Sequence, residues 1–174
     1  MHTEPELSAA STPQPGHYDI DPSRSTVTFR TRHLFGLAPV RGTFAIRGGT
    51  ADIADPVEAS RVRAEIEAGS FRTRNPQRDR NVLSARFLDP ARYPAMIFSS
   101  DRIDADGQVL TGTLTVRDVT RPVRLTITRF TAAGRSFTAR AAVRIDRTEF
   151  GVTAQRGLAG RYLTVTVEVQ CVRN

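Results

Sequence analysis

From residue 18 to residue 172 the chain is a succession of short runs in which apolar and polar residues alternate, each closed by turn-forming residues. A period of two sends successive side chains to opposite faces of a pleated strand, so the pattern excludes a helical bundle and calls for a sheet buried on one face. In 25–33, Val27, Phe29, Thr31 and His33 share one face while Thr28, Arg30 and Arg32 share the other. In 40–47, Val40, Gly42, Phe44 and Ile46 alternate with Arg41, Thr43, Ala45 and Arg47. In 61–68, Val62, Ala64, Ile66 and Ala68 alternate with four charged residues. Further runs follow at 95–103, 108–117, 122–130, 135–147 and 161–172, carrying stripes such as Leu110, Gly112, Leu114, Val116 and Leu163, Val165, Val167, Val169. Parity is ambiguous in 95–103, where Met96 and Phe98 compete with Ile97 and Ile103.

The breaks between runs have turn chemistry. Asp106-Gly107 and Ala133-Gly134 suit tight hairpins, and Arg121-Pro122 places Pro at the start of a strand. The long gap after residue 68 is expected to hold one short helix. Asn75 caps it, Pro76 takes the first position where a missing N–H costs nothing, Val82 and Leu83 pack inward, and the segment ends before Pro90. The expectation is an all-β domain over residues 17–174, an eight-stranded antiparallel barrel with one short helix, since closure removes exposed sheet edges. Residues 1–16, rich in Pro, Ser, Thr and Glu, are expected to form a disordered tail. They lack the basic start and apolar core of a secretory signal, and no stretch approaches the roughly 20 apolar residues of a membrane-spanning helix, so a cytoplasmic location is expected.

Charge constrains partners less than its size suggests. The net charge is +7, yet all 25 basic residues are Arg and none is Lys. A codon bias toward Arg explains this more simply than selection for phosphate, which Lys binds well. The excess could still assist contact with an anionic lipid head group or membrane surface. Specific nucleic-acid binding is not expected, because the outward positions are Arg, Thr and Glu rather than aromatic stacking platforms. The single Cys, Cys171, forms no internal disulfide and is expected to be a small buried residue.

An eight-stranded barrel either fills itself with side chains or encloses a ligand. The chain has nine Phe, three Tyr and no Trp, and its inward stripes are rich in Ala, Gly and Thr. Small inward residues leave volume for a long apolar ligand; interdigitation of large residues from other strands would instead fill it.

Four ordered stretches carry a resemblance. They are YDIDPSRSTVTFRTRHLFGLAPVRGTF, then NPQRDRNVLSARFLDPARYPAMIFSS, then LTGTLTVRDVTRPVRL, and finally IDRTEFGVT. Their blocks N-x-x-R-D, F-L-D, Y-P-x-x-I-F and D-R-x-E-F-G-V resemble those of the YceI-like, polyisoprenoid-binding proteins. The resemblance implies a lipocalin-like fold whose hydrophobic channel takes an isoprenoid quinone or prenyl phosphate for carriage, storage or sequestration. Relatives often pair, so a homodimer is a further expectation. Two positions depart from the family pattern: Asn81 stands where many relatives carry His, and Arg117-Asp118 replaces the usual His-Gly. Many relatives are exported, which this chain is not expected to be.

On this reading the channel lining is Val27, Phe29, Phe44, Ile66, Phe98, Leu114, Val143 and Val165. Polar head-group candidates are His33, Arg78, Arg80, Asn81 and Arg147. His33 could bond a quinone carbonyl or phosphate oxygen, or serve as a structural histidine on loop backbone. Arg147, on the inward parity, needs a charged or carbonyl partner, for which Asp79 is the candidate. No cofactor is expected beyond a bound lipid. An enzyme is not expected: His2 and His17 lie in or beside the tail, there is no Cys cluster, and no G-x-S-x-G elbow is present. A filled barrel serving as an interaction domain and, less favoured, a lipid-modifying enzyme are the alternatives.

Overall fold

A computed structural model describes residues 13–33, 36–155 and 159–174, for His33 the backbone only. The strands are β1 (Gly16–Ile20), β2 (Thr26–His33), β3 (Ala38–Ile53), β4 (Arg61–Glu67), β5 (Ala95–Ile103), β6 (Val109–Val116), β7 (Val119–Ala133), β8 (Ser136–Asp146) and β9 (Tyr162–Arg173), with one α-helix, α1 (Pro76–Val82). All join a single antiparallel sheet in the order β1-β3-β2-β9-β8-β7-β6-β5-β4, which closes through β3–β4 and β1–β9 pairing. No helix among the described residues is long and apolar enough to cross a membrane.

The barrel is eight-stranded although nine strands are present, because β1 and β2 occupy one position end to end. Both lie antiparallel between β3 and β9: Tyr18 pairs with Ala51 and Arg173, and Val27 pairs with Phe44 and Val167. A 3-10 turn at Pro22–Arg24 breaks this shared stave, capped by Asp21, whose carboxylate accepts from the Ser23 backbone N–H at 2.9 Å. β1 was not expected as a strand. It takes Gly16 out of the expected tail, whose first twelve residues lie outside the described ones. It also takes in His17, whose ring bonds the Asp52 carboxylate across the β1–β3 ladder.

Three bulges reverse the strand parity. One falls between Ile46 and Gly48, a second between Ser100 and Arg102, and a third between Ile127 and Arg129. The second resolves the ambiguity of 95–103: Met96 and Phe98 point inward before the bulge and Ile103 points inward after it. Between them Ser100 is buried, and its hydroxyl accepts from the Val62 backbone N–H at 2.7 Å. Pro122 was expected at a strand start, yet β7 begins at Val119 and Pro122 pairs with Thr113 from inside it. The position tolerates Pro because the ladder from β7 to β8 begins only at Thr126↔Ala142, so β7 behaves there as an edge.

Up-and-down connectivity places alternate connections at the same end. One end, the hairpin rim, carries residues 54–60, 104–108 and the two-residue turn at Gly134 and Arg135. The other, the helical rim, carries the β2–β3 turn, residues 68–94 with α1, the turn at Arg117 and Asp118, and residues 147–161. α1 starts as its sequence requires: the Asn75 side chain accepts from the Arg78 backbone N–H at 3.1 Å, with Pro76 in the first turn. Two main apolar clusters follow this polarity. Tyr18, Ile20, Ile46, Phe137 and Cys171 pack in the hairpin half. Phe29, Phe71, Phe87, Leu88, Phe150 and Val152 pack in the helical half. Burial pushes the Cys171 thiol up to about 12, which leaves it a neutral packing group.

Candidate ligand cavity and its two rims

The apolar faces of the staves do not meet at the barrel axis. They enclose a cavity of about 1100 Å³ that reaches from one rim to the other, slightly beyond the roughly 300–1,000 Å³ of ordinary ligand pockets. Val27, Phe29, Phe44, Ile66, Phe98, Leu114, Val143 and Val165 all line it. So do residues that periodicity could not supply because they sit on connections: Phe71, Phe87 and Leu88 from residues 68–94, and Phe150 and Val152 after β8.

Small residues create this volume in an uneven way. Ala51, Ala64, Ala139 and Ala141 line the cavity. Gly42 and Gly112, on the same inward stripes, do not. A Cβ at Gly42 would lie 2.3 Å from the Phe29 ring, and one at Gly112 would lie 2.2 Å from the Ser99 carbonyl oxygen. These two glycines therefore admit neighbours rather than leave space: Phe29 lies over Gly42 and stacks on Phe71 with centroids 5.3 Å apart.

Polar groups gather where the cavity meets the rims. At the helical rim Arg78 and Asn81 of α1, Arg147 and Gln155 line it; at the hairpin rim Ser60, Asp106, Gln108, Thr128 and Arg129 do. Arg147 has carbonyl partners. Its Nε donates to Gly160 O at 2.7 Å, Nη1 to Val152 O at 2.8 Å and Nη2 to Ala159 O at 3.3 Å. The expected partner Asp79 is engaged elsewhere, accepting from the Thr73 backbone N–H at 3.0 Å and its hydroxyl at 2.6 Å. A short polar side chain six residues away reaches Asp79 within its own connection, which closes the loop leading into α1.

Arg80 does not join the cavity lining; it sits exposed on the outer side of α1, because the helical turn carries it away from Arg78 and Asn81. The side chain of His33 lies outside the described residues, while its backbone ends β2 opposite Ala38. Gln155, on the cavity wall with φ +53°, had no signal in the sequence. Beside Arg147, burial opposes ionisation of Asp146, but bonds from Thr148 and Arg161 outweigh it and hold the carboxyl below its ordinary range. Arg161 is bound at 3.0 Å in that pair.

Comparison with known proteins agrees with this architecture. Among solved structures, BcnA of Burkholderia cenocepacia superposes with a TM-score of 0.70 at 18% identity, over 87% of this chain and 98% of that one. A polyisoprenoid binding domain from Saccharophagus degradans gives 0.67 at 11% identity, over 92% of this chain and all of that one. In sequence, a UPF0312 protein of Enterobacter sp. (strain 638) is 30% identical over 164 residues, 89% of this chain and 84% of that protein. Protein YceI of Escherichia coli O157:H7 is 38% identical over 111 residues, 62% of this chain and 57% of that protein. The family model described as YceI-like domain matches residues 18–172, nearly the whole described barrel, and the chain belongs to that family.

Proposed function

We propose that this barrel binds a long isoprenoid lipid, an isoprenoid quinone or prenyl phosphate, noncovalently in its axial cavity, for carriage, storage or sequestration. The observation that carries the reading is the continuous apolar cavity of about 1100 Å³, walled by every stave and polar only at its rims. An empty void of that size forfeits packing along its whole lining, and water gains too few polar partners there to fill it well. A linear hydrocarbon fits both the shape and the chemistry. Burying about a dozen CH₂ groups contributes roughly 10 kcal/mol, offset in large part by ordering of the chain. The Saccharophagus degradans relative in fold, a polyisoprenoid binding domain, supports the same ligand class. Binding rather than turnover is the activity this geometry serves. The chain lies along the apolar wall, and the head group meets Arg78, Asn81 and Arg147 at the helical rim.

Native mass spectrometry on gently purified protein, followed by solvent extraction, tests this. A stoichiometric prenyl lipid is expected. Protein that emerges empty should be stabilised by added prenyl lipid, by about 2.7 kcal/mol at 100 times Kd, or about 5–10 °C in Tm. Ala141→Phe, which fills the cavity from β8, should lower that stabilisation at least about tenfold in Kd without unfolding the barrel. Empty protein that no prenyl lipid stabilises would end the reading and leave only the barrel.

A further inference from the structure

The two rims differ in charge as well as in length. Residues 68–94 hold Arg72, Arg74, Arg78, Arg80, Arg86 and Arg92 against Asp79 and Asp89. Among the described residues none of the six arginines is in an ion pair, and Asp79 is already occupied by Thr73. Arg117 adjoins them: with Arg92 it flanks the Tyr93 ring, at 5.5 and 5.3 Å, and its Nε is buried with no acceptor. At the hairpin rim the connections carry Asp55, Glu58, Asp104 and Asp106 against Arg135. A codon bias accounts for arginine over lysine, but not for arginines collected at one end and carboxylates at the other.

The most exposed apolar side chain lies at the same end as the arginines, while Val172, next to the hairpin-rim turn at Gly134 and Arg135, is 42% exposed. Leu37, in the β2–β3 turn at the helical rim, is 83% exposed, and Tyr162, where β9 begins at that rim, is 43% exposed. Tyr162 lies between two guanidinium groups, Arg144 at 4.1 Å and Arg161 at 5.2 Å from its ring. An aliphatic side chain, an amphipathic aromatic ring and unpaired arginines on one rim is the composition that a lipid–water interface rewards. A soluble acidic protein would meet the arginines but give Leu37 no apolar partner of its own.

We infer that the helical rim docks onto an anionic lipid bilayer, with the arginines of residues 68–94 on the head groups and Leu37 and Tyr162 at the interface. This orientation turns the Arg78 and Asn81 end of the cavity toward the membrane, so an isoprenoid exchanges there without crossing water; that consequence rests on the lipid-binding reading, while docking itself does not.

Sedimentation of the full chain with isoprenoid-free vesicles tests the inference. Vesicles of phosphatidylcholine mixed with phosphatidylglycerol should retain the protein, pure phosphatidylcholine should not, and added salt should release it. Arg74→Gln/Arg80→Gln/Arg86→Gln, three exposed positions outside the cavity lining, should lower partitioning about 100-fold. Leu37→Ser should lower it several-fold. The matched triple Arg61→Gln/Arg102→Gln/Arg135→Gln, toward the hairpin rim, should leave it within about twofold. Equal retention on neutral vesicles, or equal losses from both triples, would overturn the inference. So would single-stranded oligonucleotide binding at physiological salt that the first triple alone abolishes, with no vesicle retention. Protein that docks yet takes up no prenyl lipid would sink the proposed function and leave docking standing; protein that takes up lipid yet never sediments would sink docking alone.

Discussion

The hairpin rim and the helical rim solve the same problem, turning the chain between adjacent staves, by different means. At the hairpin rim side chains inside the connections hold much of the turn backbone. The Asp104 carboxylate accepts from the backbone N–H groups of Gln108 at 2.7 Å and Val109 at 3.0 Å. The Ser60 hydroxyl accepts from that of Ala54 at 2.9 Å. At the helical rim the two long connections are held differently, one by a bond to a neighbouring strand and the other by a single guanidinium group. Thr43 and Arg72 exchange backbone bonds of 2.9 and 3.1 Å across the mouth, and Arg147 holds three carbonyls of the 147–161 segment. Local turns fix which staves are neighbours. Long connections bring Arg78, Asn81 and Gln155 to the cavity, and their stability depends on single side chains that no neighbour can replace.

The largest effect expected from this contrast comes from Arg147. Arg147→Met keeps the apolar stem but leaves the carbonyls of Val152, Ala159 and Gly160 without their charged donor. A loss of about 3 kcal/mol is expected, given that Arg147 is partly exposed, or about 6–12 °C in Tm. Urea unfolding measures the loss. Hydrogen exchange should show the amides around Val152 and Ala159 opening while those of the β7–β8 hairpin keep their protection. Uniform acceleration across both rims would mean that Arg147 supports the whole barrel and that the two ends are not separate units.

A smaller effect belongs to the other end. Gly134 adopts φ +60° in the two-residue turn between Ala133 and Ser136. A Cβ there would meet nothing within 4 Å, so only backbone strain opposes a side chain. Gly134→Ala should cost about 1 kcal/mol, or about 2–4 °C in Tm, with the cavity and its ligand affinity unchanged. A cost as large as that of Arg147→Met would erase the distinction between the short turns and the long connections.

The same distinction governs how much was legible in the sequence. Strict alternation identified the staves from Arg61 to Arg173 with ends displaced by at most three residues, since a stave with one buried face has no other way to write itself. It missed β1, where Gly16–Ile20 is too short to establish a period and ends against a 3-10 turn. Beyond each bulge it needed help, because an extra residue reverses parity without leaving a compositional mark. The cavity wall contributed by the regular runs, such as Phe44, Leu114, Val143 and Val165, was readable, whereas Ile20 on β1 and Ala51 beyond the first bulge were not. The part contributed by Phe71, Phe87, Phe150 and Gln155 was not readable either, because residues on connections face the cavity through long-range packing rather than periodicity. Arg147 illustrates the limit: its inward parity was clear, but its partners were carbonyls of the following connection and not the carboxylate of Asp79.

The smallest effect is also the one that separates the rims most cleanly, because it depends on the sign of a titration. At the hairpin rim the His17 ring bonds Asp52 and lies 3.5 Å from Asp19, and those carboxylates raise its pKa above the ordinary 6.5. A raised folded pKa means that this tie between β1 and β3 stabilises fully below about pH 6.5 and fades as pH rises through the folded value. At the helical rim Asp146 is depressed instead, so its contribution is complete above the ordinary carboxylate range and fades only as pH falls through its lowered value. Comparing wild type with His17→Gln across pH should therefore show a Tm gap of a few degrees at most near pH 5–6 that closes by about pH 8–9. For Asp146→Asn the gap should persist across that range and close only in acid. Since the His17 pair is solvent-exposed, salt should shrink its gap as well. A His17→Gln gap that stays constant from pH 5 to pH 9 would show that the tie between β1 and β3 draws nothing from the charge on His17.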